Sequence, residues 1–166
     1  MQTKEFEKLV QEYSEPLYWK IRRIVNNHDD ANDLLQNTFI KAWNNIDSFR
    51  SDSKVSTWLY RIAINEAIDF LRKQKQQMQD LSVDEAEAVA NSLKADEYFD
   101  GSDIQLKLQT AISTLPPTQK AVFNMRYFDE MPYSEMSAIT GTSEGALKAS
   151  YHIAVQKITK FFNDID

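Results

Sequence analysis

The sequence predicts an all-α protein. Three glycines and four prolines in 166 residues leave little material for the turns of a β fold. Strand-like alternation is nearly absent, while apolar residues recur at spacings of three and four along most of the chain. An apolar content of 42% is enough for packed cores, and a chain of this length makes one domain or two small ones.

Residues 3–26 form the first amphipathic segment, with Phe6, Leu9, Val10, Tyr13, Leu17, Ile21, Ile24 and Val25 on one face. Pro16, two residues after Ser14, predicts a break there with Ser14 capping the restart. A connector at 26–29 follows, and Asp29 or Asp30 is the expected cap of the next helix. That helix spans 29–46 and buries Ala31, Leu34, Leu35, Thr38, Phe39, Ala42, Trp43 and Ile46, while Asn32, Asp33, Gln36, Asn37 and Lys41 face outward. A polar loop holding Phe49 leads to a helix over 56–75. Its stripe is Trp58, Leu59, Ile62, Ala63, Ala67, Phe70 and Leu71; its outer face carries Arg61, Asn65, Asp69, Arg72 and Lys73. Residues 1–75 thus make one helical domain.

Over residues 76–103 the pattern decays into Gln, Asp, Glu and Ala, which predicts a flexible acidic linker with a transient helix at 83–93. Residues 104–166 make a second helical domain. Leu108, Ala111, Ile112 and Leu115 share a face that ends at Pro116-Pro117, and Thr118 is the expected cap of a helix carrying Val122, Phe123, Met125 and Arg126. A short helix at 134–140, a turn at Gly141 and a long helix capped by Ser143 and reaching about Phe162 make a helix-turn-helix. Leu147, Tyr151, Ala154, Val155, Ile158 and Phe162 line the inner side of the long helix.

Charge separates the three segments. The net charge is −6, but residues 76–104 alone carry eight acids against one lysine, and the flanking segments are close to neutral. Near-neutral lobes predict weak duplex binding by the isolated protein, because affinity follows the number of phosphates neutralised. With no cysteine, disulfides and thiolate metal sites are excluded. No apolar run approaches the roughly 20 residues of a membrane span, and Met1–Glu7 is charged rather than signal-like, so a soluble cytoplasmic protein is expected. The two histidines lie far apart, no glycine-rich phosphate loop is present, and the carboxylates are scattered over helix surfaces or gathered in the linker. Neither an enzyme nor a metal or cofactor protein is expected.

Two stretches carry a family resemblance. Asp30-Ala31-Asn32-Asp33-Leu34-Leu35-Gln36, then Phe39 and Ala42-Trp43, then Ser56-Thr57-Trp58-Leu59-Tyr60-Arg61-Ile62-Ala63 and Asn65, resemble a bacterial RNA polymerase sigma factor of the extracytoplasmic-function (ECF) type. Leu115-Pro116-Pro117, Gln119, Val122-Phe123, Tyr133-Ser134-Glu135-Met136 and the run from Gly141 to Lys148 are similar to the promoter-reading C-terminal domain of that family.

The resemblance implies roles. Asp30, Asp33, Gln36 and Phe39 would dock on core RNA polymerase, although Asn32 and Asn37 stand where acids are commoner in the family. Phe49, Arg50 and Lys54 would belong to a loop that receives a base flipped from the non-template strand. Trp58, Arg61 and Asn65 would border the melted minus-ten element; core packing explains Trp43 at least as well as DNA contact does. Lys148, Ser150 and His152, near the start of the recognition helix, would contact bases or phosphates of the minus-thirty-five element. Ser143, at that helix N-terminus, would help hold a phosphate through backbone donors. The family commonly has arginines where Ser150 and Ile153 stand, which leaves open the bases read here. The implied partners are core RNA polymerase, promoter DNA and an anti-sigma factor. From the residues alone two other readings stay open: a polymerase-independent helix-turn-helix regulator, and a helical adaptor that binds only proteins.

Overall fold

Helix α1 runs unbroken from Thr3 to Val25, through Pro16. The expected break does not occur, because the lost backbone bond falls at Glu12 and Pro16, both on the exposed side. Ser14 is no cap; its hydroxyl donates back to the Val10 carbonyl within the same helix. Asn26, at φ 57°, turns the chain out of α1. Asn27 then caps the next helix, its side chain accepting from the Asp30 backbone N–H. The cap therefore lies two to three residues before the expected Asp29 or Asp30.

The computed structural model describes residues 3–49, 54–77 and 101–165. Helix α2 is His28–Asn44 and a short 3₁₀ turn covers Ile46–Ser48. Helix α3 is Val55–Gln77, α4 is Asp103–Ser113, α5 is Pro117–Tyr127, α6 is Tyr133–Thr140 and α7 is Glu144–Ile165. Among the described residues there is no strand, so the all-α expectation stands. The expected transient helix at 83–93 lies outside the described residues, as does Arg50.

Helix α4 is capped by Ser102, which accepts from the Gln105 backbone N–H. Helix α5 starts at Pro117 rather than at a Thr118 cap. Proline suits the first helical position, where its missing N–H costs nothing and its fixed φ is already helical. Gly141, at φ 72°, ends α6 in the left-handed region, and Ser143 caps α7 by accepting from the Ala146 N–H at 3.2 Å.

Among the described residues, three apolar clusters hold the helices together. The first lies within α1–α3 and is built on Leu17, Ile21, Leu34, Leu59 and Ala63. Another lies within α4–α7, on Ile112, Leu115, Phe123, Ala154 and Ile158. The third joins the two lobes: Ile24 of α1 and Ile64, Ile68 and Leu71 of α3 pack with Val122 and Met125 of α5, Met136 and Ile139 of α6, and Leu147 of α7. Helix α3 therefore has two apolar faces, whereas periodicity alone predicts one and misses Ile64 and Ile68. Polar contacts border this seam. Asp129, in the loop after α5, pairs with Arg23 at 2.8 Å and Lys20 at 3.3 Å, and Arg72 donates to the Thr118 hydroxyl at 3.2 Å.

Candidate nucleic-acid interface

Helical spacing places Trp58, Arg61, Ile62, Asn65 and Asp69 on one side of α3. Lys41 and Asn45 at the end of α2, Ser48 in the 3₁₀ turn and Glu66 complete the rim of an open depression of about 490 Å³. Lys41 and Glu66 form an ion pair across the α2–α3 junction. Trp58 forms an aromatic wall, and the Phe49 ring leans on it with centroids 5.2 Å apart at 43°. Amides, carboxylates and cations beside an aromatic wall match what a single-stranded base requires: a stacking surface and polar groups for its edge.

Of the six residues expected at the minus-ten element, the structure brings Trp58, Arg61 and Asn65 together in this depression, with Phe49 behind Trp58. Lys54 is exposed just before α3 but does not line the depression. Arg61 does not face solvent alone. Its Nε donates to the Ala138 backbone carbonyl of α6 at 3.1 Å, and Nη2 donates to the same oxygen.

The outer side of α2 is a second surface. Asp33 and Gln36 are exposed, Asp30 is half-buried, and Phe39 packs against the first-lobe core. Burial pushes the Asp30 carboxyl above its ordinary value, and the neighbouring Asp33 and Asp29 carboxylates push the same way. Beside them Ile40 is 57% exposed and Trp43 42% exposed. Trp43, expected in the buried stripe, instead lies over Phe6 of α1, with ring centroids 5.0 Å apart, because Ala42 takes the position that faces the core. Sequence reasoning passes over Ile40. An isoleucine out of register with the three-and-four pattern is the available signal for it.

The third surface is the helix-turn-helix of α6 and α7. Lys148 and His152 are exposed and Ser150 is half-buried near the start of α7. The Tyr133 ring lies between two cations, with the Arg126 guanidinium 4.7 Å and the Lys148 ammonium 5.6 Å from its centroid. This holds Lys148 toward the α6 side of the motif. Val155, expected on the inner side, is 38% exposed; the buried line runs through Leu147, Ala154 and Ile158 and leaves residue 155 a step around the helix. None of the α7 residues lines the α3 depression. Among the described residues no group of three or more His, Cys, Asp or Glu is arranged to hold a metal ion. No helix among them is long and apolar enough to cross a membrane.

Comparison with known proteins gives a consistent result. The model of the family described as Sigma-70 region 2 matches residues 9–77, and that described as Sigma-70, region 4, matches residues 105–158. The chain is 31% identical to the ECF RNA polymerase sigma factor SigW of Bacillus subtilis (strain 168), over 96% of this chain and 90% of SigW. It is 32% identical to the RNA polymerase sigma factor SigV of the same organism, over 80% of this chain and 75% of SigV. In fold it is similar to the sigma factor RpoE of Bartonella quintana, solved with the anti-sigma factor NepR. The TM-score is 0.69 at 23% identity, covering 97% of this chain and 98% of that one.

Proposed function

Because the chain belongs to the sigma-70 family, as an ECF-type RNA polymerase sigma factor, we propose a division of its work among the three surfaces described above. As a sigma factor it binds core RNA polymerase, directs it to promoters and helps to open the minus-ten element. A polymerase-independent regulator or a protein-only adaptor would not account for a Sigma-70 region 2 match over residues 9–77.

In the proposed division, Asp30, Asp33, Gln36 and Phe39 dock on the polymerase, with the exposed Ile40 and Trp43 supplying apolar area to the same contact. Phe49, Arg50, Lys54, Trp58, Arg61 and Asn65 take the minus-ten element. Ser143, Lys148, Ser150 and His152 take the minus-thirty-five element. Residues 1–75 form the first domain, 76–103 the acidic linker and 104–166 the second domain.

The observation that carries this assignment is the depression lined by Trp58, Arg61 and Asn65. Extruding a base costs a few kcal/mol, and stacking on an aromatic wall together with hydrogen bonds to the base edge offsets that cost without ATP. The chain itself performs no catalysis in this scheme; bond formation belongs to the polymerase. The site of action is the cytoplasm, where promoter DNA is met. An anti-sigma factor is a further expected partner, by analogy with the Bartonella complex.

The test is transcription by core enzyme and this chain on a library of randomised promoters. Enrichment of one two-part promoter supports the assignment, and transcription no greater than core enzyme alone rejects it.

A further inference from the structure

We propose that Ile153 is the specificity-determining side chain of α7, reading a thymine 5-methyl group in the major groove of the upstream element. Ala149, one turn before it, takes a neighbouring methyl. This rests on the sigma reading above and names the base chemistry which that reading left open.

The buried line of α7 sets the direction of its outer face. Leu147, Ala154 and Ile158 are buried against the second lobe. At about 100° per residue, Ala149 lies about 200° and Ile153 about 240° around the helix from Leu147. Both are exposed, so they share the side turned away from the core. They also fall in the first half of the helix after the Gly141 turn, the part of a helix-turn-helix that meets base edges. Ile153 is 42% exposed and joins none of the three apolar clusters. A large aliphatic side chain stands alone on the face that is offered to DNA.

The chemistry of that face selects the base. Neither isoleucine nor alanine carries a side-chain donor or acceptor, so hydrogen-bond readout is closed to both. The polar side chains lie on the flanks, Lys148 and His152 at about 100° and 140° and Ser150 at about 300°. Lys148 is held toward α6 by the Tyr133 ring, on the side where a phosphate contact fixes register. In the major groove thymine alone presents an apolar group, its 5-methyl. Isoleucine set against guanine would cover the O6 and N7 acceptors without supplying a donor, which leaves them unsatisfied. Against thymine it removes two apolar surfaces from water. Ala149 and Ile153 are about 6 Å apart along the axis. At about 3.4 Å per base pair, the methyls they touch lie no more than about two pairs apart.

The experiment uses core polymerase with the full chain and the two-part promoter selected from the randomised library. The probes are copies of that promoter in which one thymine of the upstream element is replaced by deoxyuridine, which pairs alike and lacks only the methyl. Thymine is expected to be enriched in that element. Promoter affinity is expected to fall about fourfold for each contacted methyl removed. Ile153→Ala is expected to lose a similar factor on the thymine promoter and nothing further on the deoxyuridine one, the coupling that a double-mutant cycle isolates. Ile153→Arg is expected to move the preferred base at that position from thymine to guanine by about tenfold.

Equal affinity for thymine and deoxyuridine at every position overturns the proposal while leaving the sigma reading intact. So does a methyl effect that is undiminished in Ile153→Ala, or a thymine preference that survives Ile153→Arg. Weakened binding of Ile153→Ala to core polymerase, with no methyl effect, would give this face to the polymerase and overturns the proposal as well. Transcription no greater than core enzyme alone overturns it together with the sigma reading.

Discussion

The Phe49 ring rests on Trp58 across the loop that enters α3, with centroids 5.2 Å apart at 43°. The contact fixes the aromatic wall of the depression from behind, so the indole is already ordered before any base arrives. Trp58→Ala and Asn65→Ala are expected to abolish permanganate reactivity at the minus-ten element while native gels still show binding to core polymerase. Trp58 is half-buried against the first-lobe core, so its truncation is also expected to cost about 2–3 kcal/mol of stability. Asn65 is exposed, and its replacement should leave the melting temperature unchanged. Loss of polymerase binding in both variants would mean that this side of α3 is only scaffold.

Lys148→Glu is expected to weaken transcription from promoters that depend on the upstream element and to spare those that do not. Removing a single phosphate partner should reduce the salt slope of promoter binding by about 1. An unchanged promoter profile in vitro would reject the role. The Tyr133 ring would keep Arg126, at 4.7 Å, so the turn itself should survive.

Gly141→Ala tests the turn directly. Nothing lies within 4 Å of an added Cβ, so the only penalty is the backbone at φ 72°. That penalty is about 1 kcal/mol, or a fall of about 2–4 °C in Tm for a chain of this size. Gly141→Asn should fall less, since asparagine enters this region more readily. Equal Tm for Gly141→Ala and wild type in calorimetry would show that the turn relaxes at no cost.

Asp30 gives a pH dependence whose sign is fixed by its raised carboxyl. The folded chain holds this proton to a higher pH than the unfolded chain does. Its contribution to stability is therefore greatest below the ordinary carboxylate value and declines as pH rises through the raised one. The amide of an Asp30→Asn variant cannot titrate, so the Tm of that variant relative to wild type should rise between acid and neutral pH. A relative Tm that instead falls would mean that the carboxylate's attraction to the N-terminus of α2 outweighs its burial.

Local chemistry is legible where it acts alone. The Gly141 turn, the Ser143 cap, the α3 stripe and the α2 stripe apart from Trp43 follow from neighbouring residues, and the structure has them. Pro16 signals a break that does not form, because proline on an exposed side of a long packed helix removes one bond without ending the helix. What the sequence does not display are the partners from the other lobe. Ile64 and Ile68 look like off-stripe residues until α5 and α6 are laid against them. Arg61 reads as a free cation until Ala138 is seen to accept from it. Asp129 reads as a loop carboxylate, because its partner Arg23 lies 106 residues earlier in the chain.

The double-sided character of α3 bears on any attempt to produce the first lobe by itself. A fragment ending near Gln77 would bare Ile64, Ile68 and Leu71 to water along one continuous strip. Such a piece would be prone to self-association, and its oligomers would say nothing about how the intact molecule behaves. Solubilising substitutions at Ile64 and Ile68 are the remedy, since neither side chain lines the depression that holds Trp58 and Asn65.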